Sequence, residues 1–128
     1  MSRGLNKVFI IGQLGRSPEM HYTPSGRPVT TFNVGAHRSW NTSDGERRSE
    51  IEWFNVVAWS NLAETCKQYL SNGCLVFIEG RLHTRHWEDQ KGNRHCATEI
   101  VANEMIMLDK LPEKDTFEAS IKINSNNE

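Results

Sequence analysis

In the stretch from Leu75 to Trp87, LVFIEGRLHTRHW, side-chain character changes at every second position. Val76, Ile78, Gly80 and Leu82 make one set; Glu79, Arg81, His83, Arg85 and Trp87 make the other. An extended strand separates two such sets, because its successive side chains point to opposite faces, whereas a helix needs a period near 3.6. The alternation recurs, giving candidate strands at Asn6 to Leu14, Pro28 to Ser39, Glu50 to Ala58, Leu75 to Trp87 and Asn93 to Leu108. The segments GRSPE, TPSGRP, NTSDGE and DQKGN supply the Gly, Pro, Asn and Asp that chain reversals need.

Helical periodicity appears once, in SNLAETCKQYLSNG. Asn61 as N-cap with Glu64 three residues on reads as a capping box. Leu62, Cys66, Tyr69 and Leu70 share one face, and Gly73 reads as the C-terminal stop. Three strands, a helix and two strands predict an all-β chain. The expected architecture is a five-stranded Greek-key barrel of the OB type, with one α-helix between strands three and four and extended β-hairpins. The domain is expected to span residues 1–110. Beyond it LPEKDTFEASIKINSNNE loses the alternation, so residues 111–128 read as a flexible, mildly acidic tail.

Size and charge narrow the function. At 128 residues the chain is one domain, and its hydrophobic content of 37% is that of a soluble globular protein. No apolar run approaches the roughly 20 residues that span a bilayer, and Val8 to Ile11 is too short for the core of a signal peptide, so a cytoplasmic location is expected. Cys66, Cys74 and Cys96 are odd in number and widely spaced, which fits reduced thiols and neither a disulfide framework nor a zinc site. Residues 1–110 carry 13 basic and 12 acidic side chains, so bulk charge announces no polyanion partner. Local patches must carry any such claim.

The stretch EWFNVVAWSN supplies one. Phe54, Val56 and Ala58 form an apolar face, leaving Trp53, Asn55, Val57 and Trp59 on the other. With Arg81, His83, Arg85 and Trp87, two strands each interleave aromatic and polar or basic groups on a single face. Exposed bases stack on such aromatics while cations meet phosphates, which suits single-stranded nucleic acid. Burial in the core is the ordinary alternative for a tryptophan. Trp40 lies in HRSWNTSDGERR beside Arg38, Arg47 and Arg48; its parity matches Phe32, Val34 and Ala36, so a bulge or a strand end is needed to turn it outward.

The blocks SRGLNKVFIIGQLGRSPE, TPSGRPVTTFNVGAHRSW, EWFNVVAWSNLAE, LSNGCLVFIEGRLHTRHWEDQKGNRH and ATEIVANEMIML, in this order, resemble the bacterial-type single-stranded DNA-binding protein family from Ser2 to about Leu108. The resemblance implies an OB barrel in a homotetramer around which single-stranded DNA wraps, with no cofactor, metal or small-molecule substrate. It also implies that Trp40, Trp53, Trp59 and Trp87 are the base-stacking positions, Trp59 standing where Phe is more usual. Arg3, Lys7, Arg47, Arg48, Arg81 and Arg85 remain as candidate phosphate contacts, joined by the polar Asn55 and His83. Asn55, Asn61, His83 and His86 stand where relatives often carry a basic group, which should weaken phosphate contact. Protonation of His83 and His86 toward pH 6 would restore some of that charge. The tail ends NSNNE, without the acidic stretch closing on Pro-Phe that recruits partner enzymes in bacterial relatives, so that recruitment is expected to be absent.

Three other readings compete. An enzyme needs a site, and His83 and His86, three apart on a strand, face opposite ways and cannot share a metal. Asp44 with Glu46, or Glu88 with Asp89, falls in turns. A primosomal or single-stranded RNA-binding OB protein would use the same stacking surface. A pure oligomerisation module would use Phe54 and the region of Tyr22 only as an interface.

Overall fold

The computed structural model describes residues 3–108. Its elements are β1 (Val8–Leu14), β2 (Glu19–Tyr22), β3 (Pro28–Asn41), β4 (Arg47–Trp59), α1 (Ser60–Tyr69), β5 (Leu75–Glu88) and β6 (Arg94–Met107). All five expected strands are present. The sheet runs β1-β5-β6-β4-β3-β2, and β1 returns to β3 at Gln13↔Gly35 and Leu14↔Val34, which closes a five-stranded barrel. The expected tail, residues 111–128, lies outside the described residues.

The interior follows from the alternation. Ile10, Leu14, Phe32, Val34, Val56, Ala58, Val76, Ile78 and Ile100 all point inward and are buried. Helix α1 seals one end with Ala63 and Cys66, both fully buried. The buried Thr30 hydroxyl donates to the Ala63 carbonyl at 2.7 Å, tying the helix to β3 without an orphaned polar group. Burial pushes the Cys66 thiol up to about 12, so it stays protonated.

The closure is uneven. Strands β4 and β6 run parallel and pair only at Val56↔Ile100 and Val57↔Val101. By contrast β3 and β4 stay paired from Val29↔Trp59 out to Asn41↔Arg47, and β5 and β6 stay paired out to Glu88↔Arg94, with one bulge at Glu79/Gly80. Two hairpin arms therefore project beyond the barrel and diverge from each other. Their tips use one turn design. In the first, Thr42 N–H bonds Glu46 O and Gly45 N–H bonds Thr42 O; in the second, Asp89 N–H bonds Asn93 O and Gly92 N–H bonds Asp89 O. Gly45 and Gly92 both sit near φ +85° (89° and 83°), where a Cβ would be strained.

Several local expectations are corrected. A sixth strand, β2, pairs with the first part of β3 from Glu19↔Thr31 to Tyr22↔Pro28. Four residues between turn-rich segments are too few for alternation to register. Asn61 does not cap the helix. Strand β4 runs straight into α1 through Ser60, a left-handed residue at φ 59°, so Trp59 occupies the cap position with no side-chain cap bond and Asn61 falls inside the first turn. Tyr69 is exposed, while Ala63 joins Cys66 and Leu70 on the buried side. The helix ends at Tyr69, before Gly73, because Leu70 turns extended to bury its side chain; Gly73 serves the next turn instead. Trp40 needs no bulge. The β3–β4 register is unbroken through Trp40↔Arg48, and the arm has left the barrel there, so even the inward-parity side meets solvent.

Candidate nucleic-acid interface

Ladder register decides which side chains share the outer face. Trp53 lies opposite Gly35, Asn55 opposite Asn33 and Trp59 opposite Val29. On the second arm His83 lies opposite Glu99, Arg85 opposite Ala97 and Trp87 opposite His95. The short β4–β6 pairing carries this face across from one hairpin to the other. Where the arms diverge, a groove of about 230 Å³ is lined by Thr31, Asn33, Asn55, Arg85, Ala97 and Glu99, among others. A neighbouring cleft of about 240 Å³ holds Trp53 and Leu82. Asn33 Oδ1 is buried beside Gly15 without a hydrogen-bond partner.

The four indoles are held differently. Trp53 is 51% exposed and lies on a floor of glycine. A Cβ on Gly35 would come within 2.8 Å of its ring, and one on Gly15 within 2.7 Å, so only glycine lets the indole lie flat there. Trp59, half-buried at the strand–helix junction, carries the Arg27 guanidinium 4.5 Å from its ring centroid. Trp40 carries Arg38 at 4.4 Å. Trp87, 40% exposed, carries Arg85 at 4.5 Å and stacks on the His95 imidazole, with centroids 5.4 Å apart and planes at 20°.

Carboxylates temper the charge. Glu99 reaches both His83 Nδ1 at 3.5 Å and Arg85 Nε at 3.4 Å. Glu50 meets Arg38 at 3.4 Å, and Glu46 meets Arg48 at 3.1 Å. Asp89 accepts from the backbone N–H of Lys91 and Asn93 and pairs with His95 Nε2 at 2.9 Å. The His95 hydrogen bond, and then the Asn93 amide, hold the Asp89 carboxyl below the usual carboxylate range. Among the described residues no three His, Cys, Asp or Glu side chains gather to hold a metal, and no helix is long and apolar enough to cross a membrane.

A family profile described as the single-strand binding protein family matches residues 5–108, most of the chain. The chain belongs to that family. Single-stranded DNA-binding protein 1 of Chlorobaculum tepidum is 48% identical over 109 residues, covering 84% of this chain and 67% of the relative. A single-stranded DNA-binding protein of Neisseria meningitidis is 45% identical over 104 residues, covering 81% of this chain and 60% of the relative. The matched part is thus under two thirds of the Neisseria protein. Among solved structures, the Plasmodium falciparum SSB in complex with ssDNA superposes with a TM-score of 0.75 at 30% identity, covering 85% of this chain and 99% of that one. A deletion mutant of the single-stranded DNA binding protein from Thermus aquaticus gives 0.73 at 32%, covering 85% and 53%.

Within this family member the sequence-picked residues divide. Trp53, Asn55, His83, Arg85 and Trp87 sit on or beside the groove face, with Arg81 next along β5 opposite Val101. Trp40, Arg47 and Arg48 cluster at the first arm's tip, where Arg47 also bonds the Ser39 hydroxyl at 2.9 Å. Trp59 sits at the helix junction. Arg3 is exposed ahead of β1. Lys7 stands apart: its ammonium pairs with Glu79 at 3.2 Å, near exposed Phe9 and Ile11. His86 faces away from the tryptophans, opposite Cys96. Sequence reasoning missed Arg27, Glu99, His95 and the glycine floor, and it took Arg38 only as a neighbour of Trp40. The repeated Arg-x-Trp of RSW and RHW was a signal for Arg38 and Arg85; the others need the register.

Proposed function

We propose that the protein binds single-stranded DNA without sequence preference, by stacking bases on Trp40, Trp53, Trp59 and Trp87. The observation that carries this reading is Trp53, a large apolar ring left half exposed on a floor built to hold it flat, with three further indoles set beside cations. Every base has a π-face, so such platforms are indifferent to sequence, and duplex bases, already stacked, cannot use them. Arg47, Arg48, Arg81 and Arg85 line the path for phosphates, with Asn55 and His83 as polar contacts and Arg3 at the approach. The names of the relatives point the same way. The role is then to cover exposed single strands during replication, recombination and repair, by binding and not by catalysis.

Self-association belongs to this reading. Phe9 and Ile11 are 64% and 56% exposed, Phe9 stacks on Phe77 with centroids 6.2 Å apart, and Val8 to Gly12 pair only with β5 among the described residues. An apolar face along an open strand edge suits a second copy, which is why Lys7 is better placed for assembly than for phosphate contact. A homotetramer, as implied by the family, is the proposed state.

Titrating intrinsic fluorescence with oligo-dT tests the proposal. Saturable quenching by oligo-dT and little by duplex is expected. Trp53→Ala and Trp87→Ala should each weaken binding by about 1–3 kcal/mol per stacked base lost. Folded variants that both bind like the parent would sink the stacking assignment, and a preference for oligo-rU would move the protein to the RNA-binding class.

A further inference from the structure

Three of the four tryptophans have a guanidinium over the ring, and the fourth has none among the described residues. The arrangement is reached in two ways. Arg38 and Arg85 precede Trp40 and Trp87 by two positions on a strand, so ring and cation share a face. Arg27 comes instead from the turn before β3, a segment with no strand register to Trp59, and is steadied by the Ser60 hydroxyl at 3.0 Å. Two independent routes to one geometry, at 4.4 to 4.5 Å, mark the pairing as a feature of the surface and not of one local motif.

We propose that these arginines are exchangeable lids: an incoming base displaces the guanidinium from the ring, and the freed guanidinium turns onto the adjoining phosphate. This makes Arg27 and Arg38 ssDNA-contacting residues alongside Arg85, and it rests on the reading of the protein as a single-strand binder. A base and a guanidinium seek the same π-face, so the two cannot occupy it together. The cations are loosely held. All three arginines are exposed, the Arg38–Glu50 and Arg85–Glu99 pairs are long at 3.4 Å, and Arg27 has one neutral hydroxyl partner. A phosphate offers a guanidinium two parallel charge-assisted hydrogen bonds, a better partner than any it leaves. Trp53, bare and half exposed, is then the platform that is ready first, and the lidded rings engage as the strand is laid along the arms.

The experiment uses the full chain with Arg27→Gln, Arg38→Gln, and Arg27→Lys and Arg38→Lys as charge-keeping controls. In the free protein, acrylamide should quench tryptophan emission more in the Gln variants than in the parent, because a lid has been removed. Labelled oligo-dT affinity is then measured from 50 to 200 mM salt. Each Gln variant should lose about 0.7 from the slope of log K against log salt, so its deficit shrinks about 2.6-fold across that range, while the Lys variants keep the parent slope. Gln variants that keep the parent slope would show that the guanidiniums never reach phosphate, and unchanged acrylamide quenching would show that they shield nothing. Either result overturns the exchange. A parent that fails to bind oligo-dT would overturn the functional reading beneath it instead.

Discussion

At the scale of single residues, the glycine under Trp53 does what an aromatic side chain cannot do alone. Gly35 stands opposite Trp53, and the indole edge occupies the space that a Cβ there would need. Gly35→Ala should therefore tilt Trp53 and weaken oligo-dT binding by no more than Trp53→Ala does. The double variant should bind like Trp53→Ala alone, since the alanine acts through the ring; additive losses in anisotropy titrations would show that Gly35 acts elsewhere. The thiols divide as sharply. Cys66 and Cys74 are buried, and the desolvated Cys66 is held far from ionisation, whereas Cys96 is exposed on the second arm. A thiolate-seeking reagent at pH 8 should titrate one thiol per chain in the native protein and all three in denaturant. Parity in EWFNVVAWSN was enough to place Trp53 outside the barrel. It could not reveal Arg27 over Trp59 or Glu99 between His83 and Arg85, because those contacts depend on a turn's course and a ladder's register.

At the scale of elements, the strands were legible because each alternates over many residues and begins or ends at turn-forming sequence. Boundaries failed where geometry does the work of composition. A single left-handed residue, Ser60, joins strand to helix, so Asn61 and Glu64 lie inside the helix and form no capping box at its start. The turn of the β5–β6 arm carries its own pH response. Asp89 is held below the usual carboxylate range by His95 and by backbone amides, so its contribution is present above the unfolded value near 3.9 and is lost as pH falls through the lower folded value. Acidification below about pH 4 should thus loosen the Asp89–Asn93 turn and release His95 from its partner, seen as shifted Gly92 and Asn93 amide resonances. In Asp89→Asn those resonances should already resemble the acid form at neutral pH and change little on acidification; a parent-like titration in that variant would place the response on another group.

At the scale of the whole molecule, the barrel presents two unlike exteriors: the outer face that carries Trp53, Trp59 and Trp87, and the apolar face around Phe9 and Ile11. The sequence showed the first, because aromatic and basic side chains interleave there. It did not show the second, since Phe9 and Ile11 read as ordinary strand residues until the open edge of β1 is seen. Replacing both Phe9 and Ile11 by Glu should leave the exposed-face variant folded, because neither side chain enters the core, and should shift its sedimentation to a smaller species. A parent-like sedimentation coefficient would place the assembly surface elsewhere. The brief parallel contact of β4 with β6 has a mechanical consequence as well. Two long ladders pair directly at Val56–Val57 against Ile100–Val101 and are tied a second time through β1, which pairs with both β5 and β3; past these points the arms share no backbone pairing among the described residues. Beyond the barrel each arm is a cantilever, held in line by its own ladder out to Asn41↔Arg47 or Glu88↔Arg94.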